Sequence, residues 1–178
     1  INIETFAEYQ QTEAWTWEHQ ALVRSRFILG DDPLSERFTQ IRHDILTKQR
    51  DADLLKKDIA SMRVKMFDNL NKEKDGFFDL KQSRGGIADI EFISQFLVLS
   101  KSYQYPELTD LPDNIRILQQ ACRLNLISES DNKELVDAYI LYRRLYHTAS
   151  LNGDEKLSQL NEIANSRDKV LDIWQSLF

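Results

Sequence analysis

A chain of 178 residues, 42% hydrophobic and 29% charged, is long enough to bury a core of its own, and 5 glycines with 3 prolines are too few turn formers for a many-stranded β protein. Its net charge of −6 argues against a general nucleic-acid binder, because phosphate affinity comes from an excess of lysine and arginine. Cys122 is the sole cysteine, so there is no disulfide framework and no cysteine zinc site; with no apolar run of transmembrane length and no signal-peptide pattern, the expectation is a cytoplasmic, all-α protein.

In chain order, Ile1-Asn2-Ile3 resembles the tail of an extended segment, and a first residue other than methionine is expected of a chain that begins within a longer protein. From Glu4 to about Leu29 the pattern is helical, as two helices with a break near Thr12, which is the predicted cap of the second. In that second helix Ala14, Trp17, Ala21, Arg24 and Ile28 fall on one face, and Trp15 and Trp17 are assigned to the core. Arg24, in line with apolar residues, must either pair with a carboxylate such as Glu18 or Asp89 or be directed at a phosphate.

Gly30 is the predicted stop, with Asp32 capping the next helix and Pro33 at its first position. Phe38, Ile41, Ile45 and Leu46 supply that helix's buried side. Asp51 caps a further helix to Leu70, whose buried stripe is read as Leu55, Ile59, Met62, Met66 and Leu70. Asp51-Ala52-Asp53 has the alternate spacing of a magnesium-binding pair, but that geometry needs a strand and none is signalled, so capping is preferred.

After a polar turn, Phe77-Phe78-Asp79-Leu80 reads as extended and leads into Lys81-Gln82-Ser83-Arg84-Gly85-Gly86, which opens a helix apolar on nearly all sides from Ile87 to Leu99. A glycine loop feeding a helix start, beside Lys81 and Arg84, has the composition of an anion site. On local physics alone the preferred reading is a tight turn in which Asp89 and Glu91 settle the helix dipole. Beyond it, Tyr103 to Pro112 connects to a helix capped by Asp113. Ser128 with Asp131 opens a long helix lined by Leu135, Ala138, Tyr142, Leu145 and Ala149, which Asn152-Gly153-Asp154 stops. A last helix is expected from about Leu157 to Leu177, making a bundle of seven or eight. His19, His43 and His147 lack ligand spacing, so no metal site is assigned, and no nucleophile elbow or phosphate-binding glycine motif is present.

Two stretches carry more than spacing. Glu13-Ala14-Trp15-Thr16-Trp17-Glu18, continuing to Arg24 and Arg26, and Gly85-Gly86-Ile87-Ala88-Asp89-Ile90-Glu91-Phe92 closely resemble the bifunctional glutamine synthetase adenylyltransferase family, also called glutamate–ammonia-ligase adenylyltransferase. The resemblance runs to about His147 and is less clear in the final helix. It implies the C-terminal, helical part of an adenylylating unit, with residues 1–178 forming one helical domain and an α/β catalytic domain upstream. It further implies ATP and Mg2+ in the whole enzyme, glutamine synthetase as substrate, and the PII signal protein and glutamine as regulators. The family's Gly-Ser followed by Asp-x-Asp on a small sheet does not occur here, Asp51-Ala52-Asp53 opening a helix instead, so this part alone is expected to be inactive, with no catalytic residue of its own. Arg24, Lys81 and Arg84 are then the candidates for nucleotide or phosphate contact, Gly85 and Gly86 shape the loop, and Asp89 and Glu91 orient the basic residues or cap the helix. The alternatives are a noncatalytic helical module binding PII or glutamine synthetase, and a structural spacer between catalytic halves.

Overall fold

The computed structural model describes residues 2–178, and among these the chain forms eight α-helices and one two-stranded sheet, the expected all-α bundle. The order is α1 (Ile3–Thr12), α2 (Thr16–Val23), α3 (Asp32–Leu46), α4 (Ala52–Leu70), β1 (Phe77–Asp79), α5 (Ile87–Lys101), a 3₁₀ turn (Pro106–Asp110), α6 (Asn114–Arg123), α7 (Glu129–Asn152), β2 (Leu157–Gln159) and α8 (Leu160–Leu177). No helix among the described residues is long and apolar enough to cross a membrane.

The centre is α5. Its sequence, Ile87 to Leu99, has too few polar positions to offer a solvent face, and it packs against α2, α4, α6, α7 and α8. Every residue in that run except Glu91 is buried. Its polar members are matched: Gln20 Nε2 donates to Gln95 Oε1 at 2.8 Å and Ser94 Oγ donates to Asn114 Oδ1 at 2.8 Å. Each large apolar side chain so enclosed is worth about 1.5–3 kcal/mol, which makes α5 the main source of cohesion. Phe178 completes its cover, its ring 4.8 Å from that of Phe96 and 4.2 Å from that of Trp174.

Most helix boundaries follow their local chemistry. Asp51, Asp113 and Ser128 accept from the amides of Leu54, Arg116 and Asp131, and Gly153 ends α7 in the left-handed conformation at φ 76°. Asp51 thus acts as a cap. The α3 cap is Asp31 rather than Asp32, and Pro33 follows at the second helical position.

The N-terminal third departs further. Ile1 lies outside the described residues; Asn2 is an extended cap and Ile3 already begins α1. Thr12 does not cap α2: its hydroxyl donates back to Glu8 O, closing α1, while Trp15 stands at the cap position with its amide donating to Glu18 Oε2 at 2.9 Å. The second helix stops at Val23 instead of Leu29, because the buried Arg42 guanidinium takes its terminal carbonyls, donating to Leu22 O at 3.1 Å and Val23 O at 2.5 Å. Its buried residues are Gln20, Leu22 and Val23, so the expected stripe points outward, with Trp17 47% and Ile28 76% exposed, and Trp15, also expected in the core, is 72% exposed. In α4, Leu70 is exposed and Met62 and Met66 are half-buried, whereas Arg63 is fully enclosed.

Leu157–Gln159 is not helical but pairs antiparallel with β1, in the register Phe77 with Gln159, Phe78 with Ser158 and Asp79 with Leu157. That pairing fixes the strand from which the glycine loop departs.

Candidate functional site

The loop between β1 and α5 is built on Asp79. Its Oδ1 accepts from the amides of Lys81 at 2.9 Å and Gln82 at 3.0 Å, its Oδ2 from Lys72 N at 3.0 Å, and its own amide donates to Ser83 Oγ at 2.8 Å. The chain folds tightly enough that a Cβ on Gly86 would lie 2.9 Å from Ser83 O and 3.1 Å from Leu80 O. At Gly85, φ is +83°, and a Cβ would stand 2.7 Å from Arg167 O on α8. The two glycines therefore let the loop pack, one against itself and one against the last helix.

The amides at the start of α5 are all engaged. Gly85 N donates to Asp89 Oδ2 at 2.6 Å, Gly86 N to Ser83 O, Ile87 N to Leu80 O and Ala88 N to Lys81 O, each of the last three at 3.0 Å. The Asp89 carboxylate thus occupies the place at the helix N-terminus that an external anion would take. Its other oxygen accepts from Arg63 Nε, and Arg63 Nη2 donates onward to Gln82 O at 2.7 Å and Ser83 O at 3.2 Å. Arg63 is 0% exposed. Burial pulls its pKa down and the Asp89 charge pulls it back up, so the ion pair is what keeps a guanidinium tolerable there. Arg63 did not stand out in the sequence, although its place four residues after Ile59 and eight after Leu55 put it on the buried face of α4.

Glu91 leaves α5 on the side facing α2. Arg24, the C-cap of α2, pairs with it at 2.6 Å, with side-chain exposures of 39% and 17%. Asn114 Nδ2 and Tyr139 Oη also approach Glu91 Oε1, at 3.5 and 3.4 Å. Burial, and then the Glu91 charge, raise the Tyr139 pKa, so its hydroxyl remains a donor at neutral pH. The arginine does pair with a carboxylate, but with Glu91 rather than Glu18 or Asp89. The pair joins the two stretches that carry the family resemblance.

The three basic candidates do not share one pocket. Arg24 lines a 370 Å³ cleft with Arg143, Asp113 and Tyr139. Arg84 lies over the Phe67 ring, its guanidinium 4.9 Å from the centroid. Lys81 is exposed and lines a separate 460 Å³ cleft with Lys72, Lys156, Tyr146 and Asp79. Among the described residues no three His, Cys, Asp or Glu side chains converge as metal ligands. His19 and His43 are instead engaged with Gln10 O and Thr109 Oγ1.

Against known proteins, residues 53–171 match the family model described as GlnD PII-uridylyltransferase, and residues 1–41 match the one described as glutamate-ammonia ligase adenylyltransferase. Bifunctional glutamine synthetase adenylyltransferase/adenylyl-removing enzymes are similar along nearly the whole chain. That of Shewanella woodyi is 46% identical over 98% of this chain and 18% of its own length, and that of Nitrosococcus oceani 42% over the same shares. That of Shewanella loihica is 48% identical over 84% of this chain and 16% of its own length. The chain thus spans less than one fifth of the length of these curated relatives.

Proposed function

We infer the function from the fact that the chain belongs to the family described as GlnD PII-uridylyltransferase, taken together with its curated relatives. We propose that it is the helical domain of a cytoplasmic nucleotidyltransferase that transfers AMP from ATP to glutamine synthetase, the catalytic carboxylates lying in another part of the polypeptide. The observation that carries this reading is similarity along 98% of the chain to enzymes named for that activity, at 46% identity. Regulation by PII and glutamine belongs to the same proposal.

The residues present do not fit a magnesium site. Asp89 is committed to Arg63 and the Gly85 amide, Glu91 to Arg24, and Asp79 to three backbone amides. The triphosphate of a nucleotide fits better. Lys72, Lys81 and Lys156 line one cleft with the Tyr146 ring and three carboxylates; of these Asp79 is committed to backbone amides and Glu155 to Lys74, which leaves the lysines and Asp154 to meet phosphate beside an aromatic face. ATP, when bound, supplies the adenylyl group; the part of this chain is to hold phosphate charge with the lysines of the cleft, and Arg84, on the same loop and stacked over Phe67, is a second candidate for phosphate contact outside it. Arg24, already paired, is assigned to positioning Glu91 beside the second cleft.

In the intact enzyme, Lys81→Ala should lower kcat/KM for adenylyl transfer to glutamine synthetase by roughly tenfold, the worth of one charge-assisted contact of about 1.5 kcal/mol. Its melting temperature should not move, because the Lys81 side chain is exposed. Arg84→Ala should act in the same direction. Unchanged kinetics in both variants would remove the phosphate-contact role. A second reading, a noncatalytic module binding PII or glutamine synthetase, is favoured by the exposed rings of Trp15 and Trp17, since tryptophan is a frequent anchor of protein interfaces. Retention of either protein on the domain, abolished by Trp15→Ala, would support it.

A further inference from the structure

One apolar surface belongs neither to the core nor to the loop. Ile3 and Phe6 of α1, Phe27 of the segment between α2 and α3, and Leu34 and Phe38 of α3 line a 320 Å³ groove. Phe38 is the centre of an aromatic cluster, 6.2 Å from Phe6 and 6.4 Å from Phe27 between ring centroids. Gly30, at φ +149°, lets the Phe27 ring lie across the backbone, because a Cβ there would meet Phe27 Cζ at 2.4 Å. Beside the groove, Ile28 and Leu29 are 76% and 90% exposed. A bidentate Arg37–Glu4 ion pair, at 2.6 and 2.7 Å, links α3 to α1 at the same end. An aromatic floor, exposed aliphatics and a charged rim together form the anatomy of an interface.

All five lining residues fall within residues 1–41, the stretch matched to the adenylyltransferase family model, whereas most of the bundle from α4 onward falls within residues 53–171, matched to the other. The relatives carry more than four fifths of their length outside the region this chain matches. The chain also enters α1 at the groove itself, since Ile3 both opens the helix and lines the cleft. We propose that this groove is the docking face for the part of the same polypeptide that precedes residue 1 in the intact enzyme, with Phe27, Phe38 and Leu29 as its anchors. The proposal rests on the reading that the chain is one domain of a longer adenylyltransferase.

The test uses the full-length enzyme with p-benzoylphenylalanine in place of Phe27, and separately in place of Leu29, where 90% exposure leaves packing undisturbed. Irradiation should give an intramolecular cross-link, its yield unchanged on dilution, that maps by mass spectrometry to sequence N-terminal to residue 1. A cross-link to a second copy that fades on dilution, a cross-link formed only when glutamine synthetase or PII is added, or no cross-link at either position would each overturn the proposal. The unlabelled enzyme is assayed in parallel for adenylyl transfer. Absence of transfer with the cross-link intact refutes the functional reading alone, and transfer without the cross-link refutes only the docking face.

Discussion

Replacing Asp89 with alanine is the most informative single change to the loop. The substitution removes two bonds to a buried carboxylate, from Arg63 Nε and from Gly85 N, and leaves Arg63 at 0% exposure with only two carbonyl partners. Breaking one half of a buried ion pair costs about 3–5 kcal/mol, against a total stability of roughly 5–15 kcal/mol for a domain. At about 2–4 °C per kcal/mol for a chain of this size, the melting temperature should fall by on the order of 6–20 °C. Chemical denaturation of Asp89→Ala, Arg63→Met and the double variant gives the decisive comparison. The double variant should be more stable than the sum of the singles predicts, by about 1 kcal/mol or more, because removing the guanidinium relieves the unpaired charge. It should not reach wild type, since Gly85 N and Gln82 O still lack partners. An Asp89→Ala variant within about 0.5 kcal/mol of wild type, or strictly additive singles, would refute the pair as the tie between α4 and α5.

Gly85→Ala should cost roughly 2–4 kcal/mol, combining a left-handed backbone with a Cβ 2.7 Å from the Arg167 carbonyl. Gly76→Ala, at φ +74° with nothing within 4 Å, should cost only about 1 kcal/mol in the same denaturation assay. His19 provides a pH readout. Burial holds its folded-state pKa below the ordinary value of 6.5, so the unfolded chain takes up a proton first, and the domain should lose stability as pH falls below about 6.5. His19→Gln should flatten that part of the melting-temperature profile and leave the profile above neutrality unchanged.

The central helix was legible because its apolar run has no polar face and follows a glycine pair. The caps at Asp51, Asp113 and Ser128 were legible because a short polar side chain acts on amides two or three residues away. What escaped depends on partners distant in sequence. The apolar residue that opens Leu157–Gln159 continues the periodicity of α8, and only Phe77–Asp79, far back in the chain, makes that stretch a strand. The length of α2 is set by Arg42, which lies on the next helix and takes its last carbonyls. Trp15 and Trp17 read as core residues, but the α2 face turned to α5 carries Gln20, bonded to Gln95, with the buried Val23 three residues on, and the rings remain outside. At the site, the residue types of the loop were readable, whereas the pairing of Asp89 with Arg63 and of Glu91 with Arg24 is decided by which helices lie beside α5.

The β1–β2 pairing constrains the order in which the molecule can assemble. On a ribosome, the strand that anchors the loop and most of α5 emerges long before Leu157–Gln159 and α8, which supply its antiparallel partner, the Arg167 backbone against Gly85 and the Phe178 ring against Phe96. Until then the most apolar helix of the protein has an uncovered side, and the non-local contacts that close it carry the entropic cost of a long loop. The nascent chain therefore passes through a stage in which its stickiest segment is complete and its cover is not. That stage is a natural point for a chaperone to engage the chain, or for aggregation to begin.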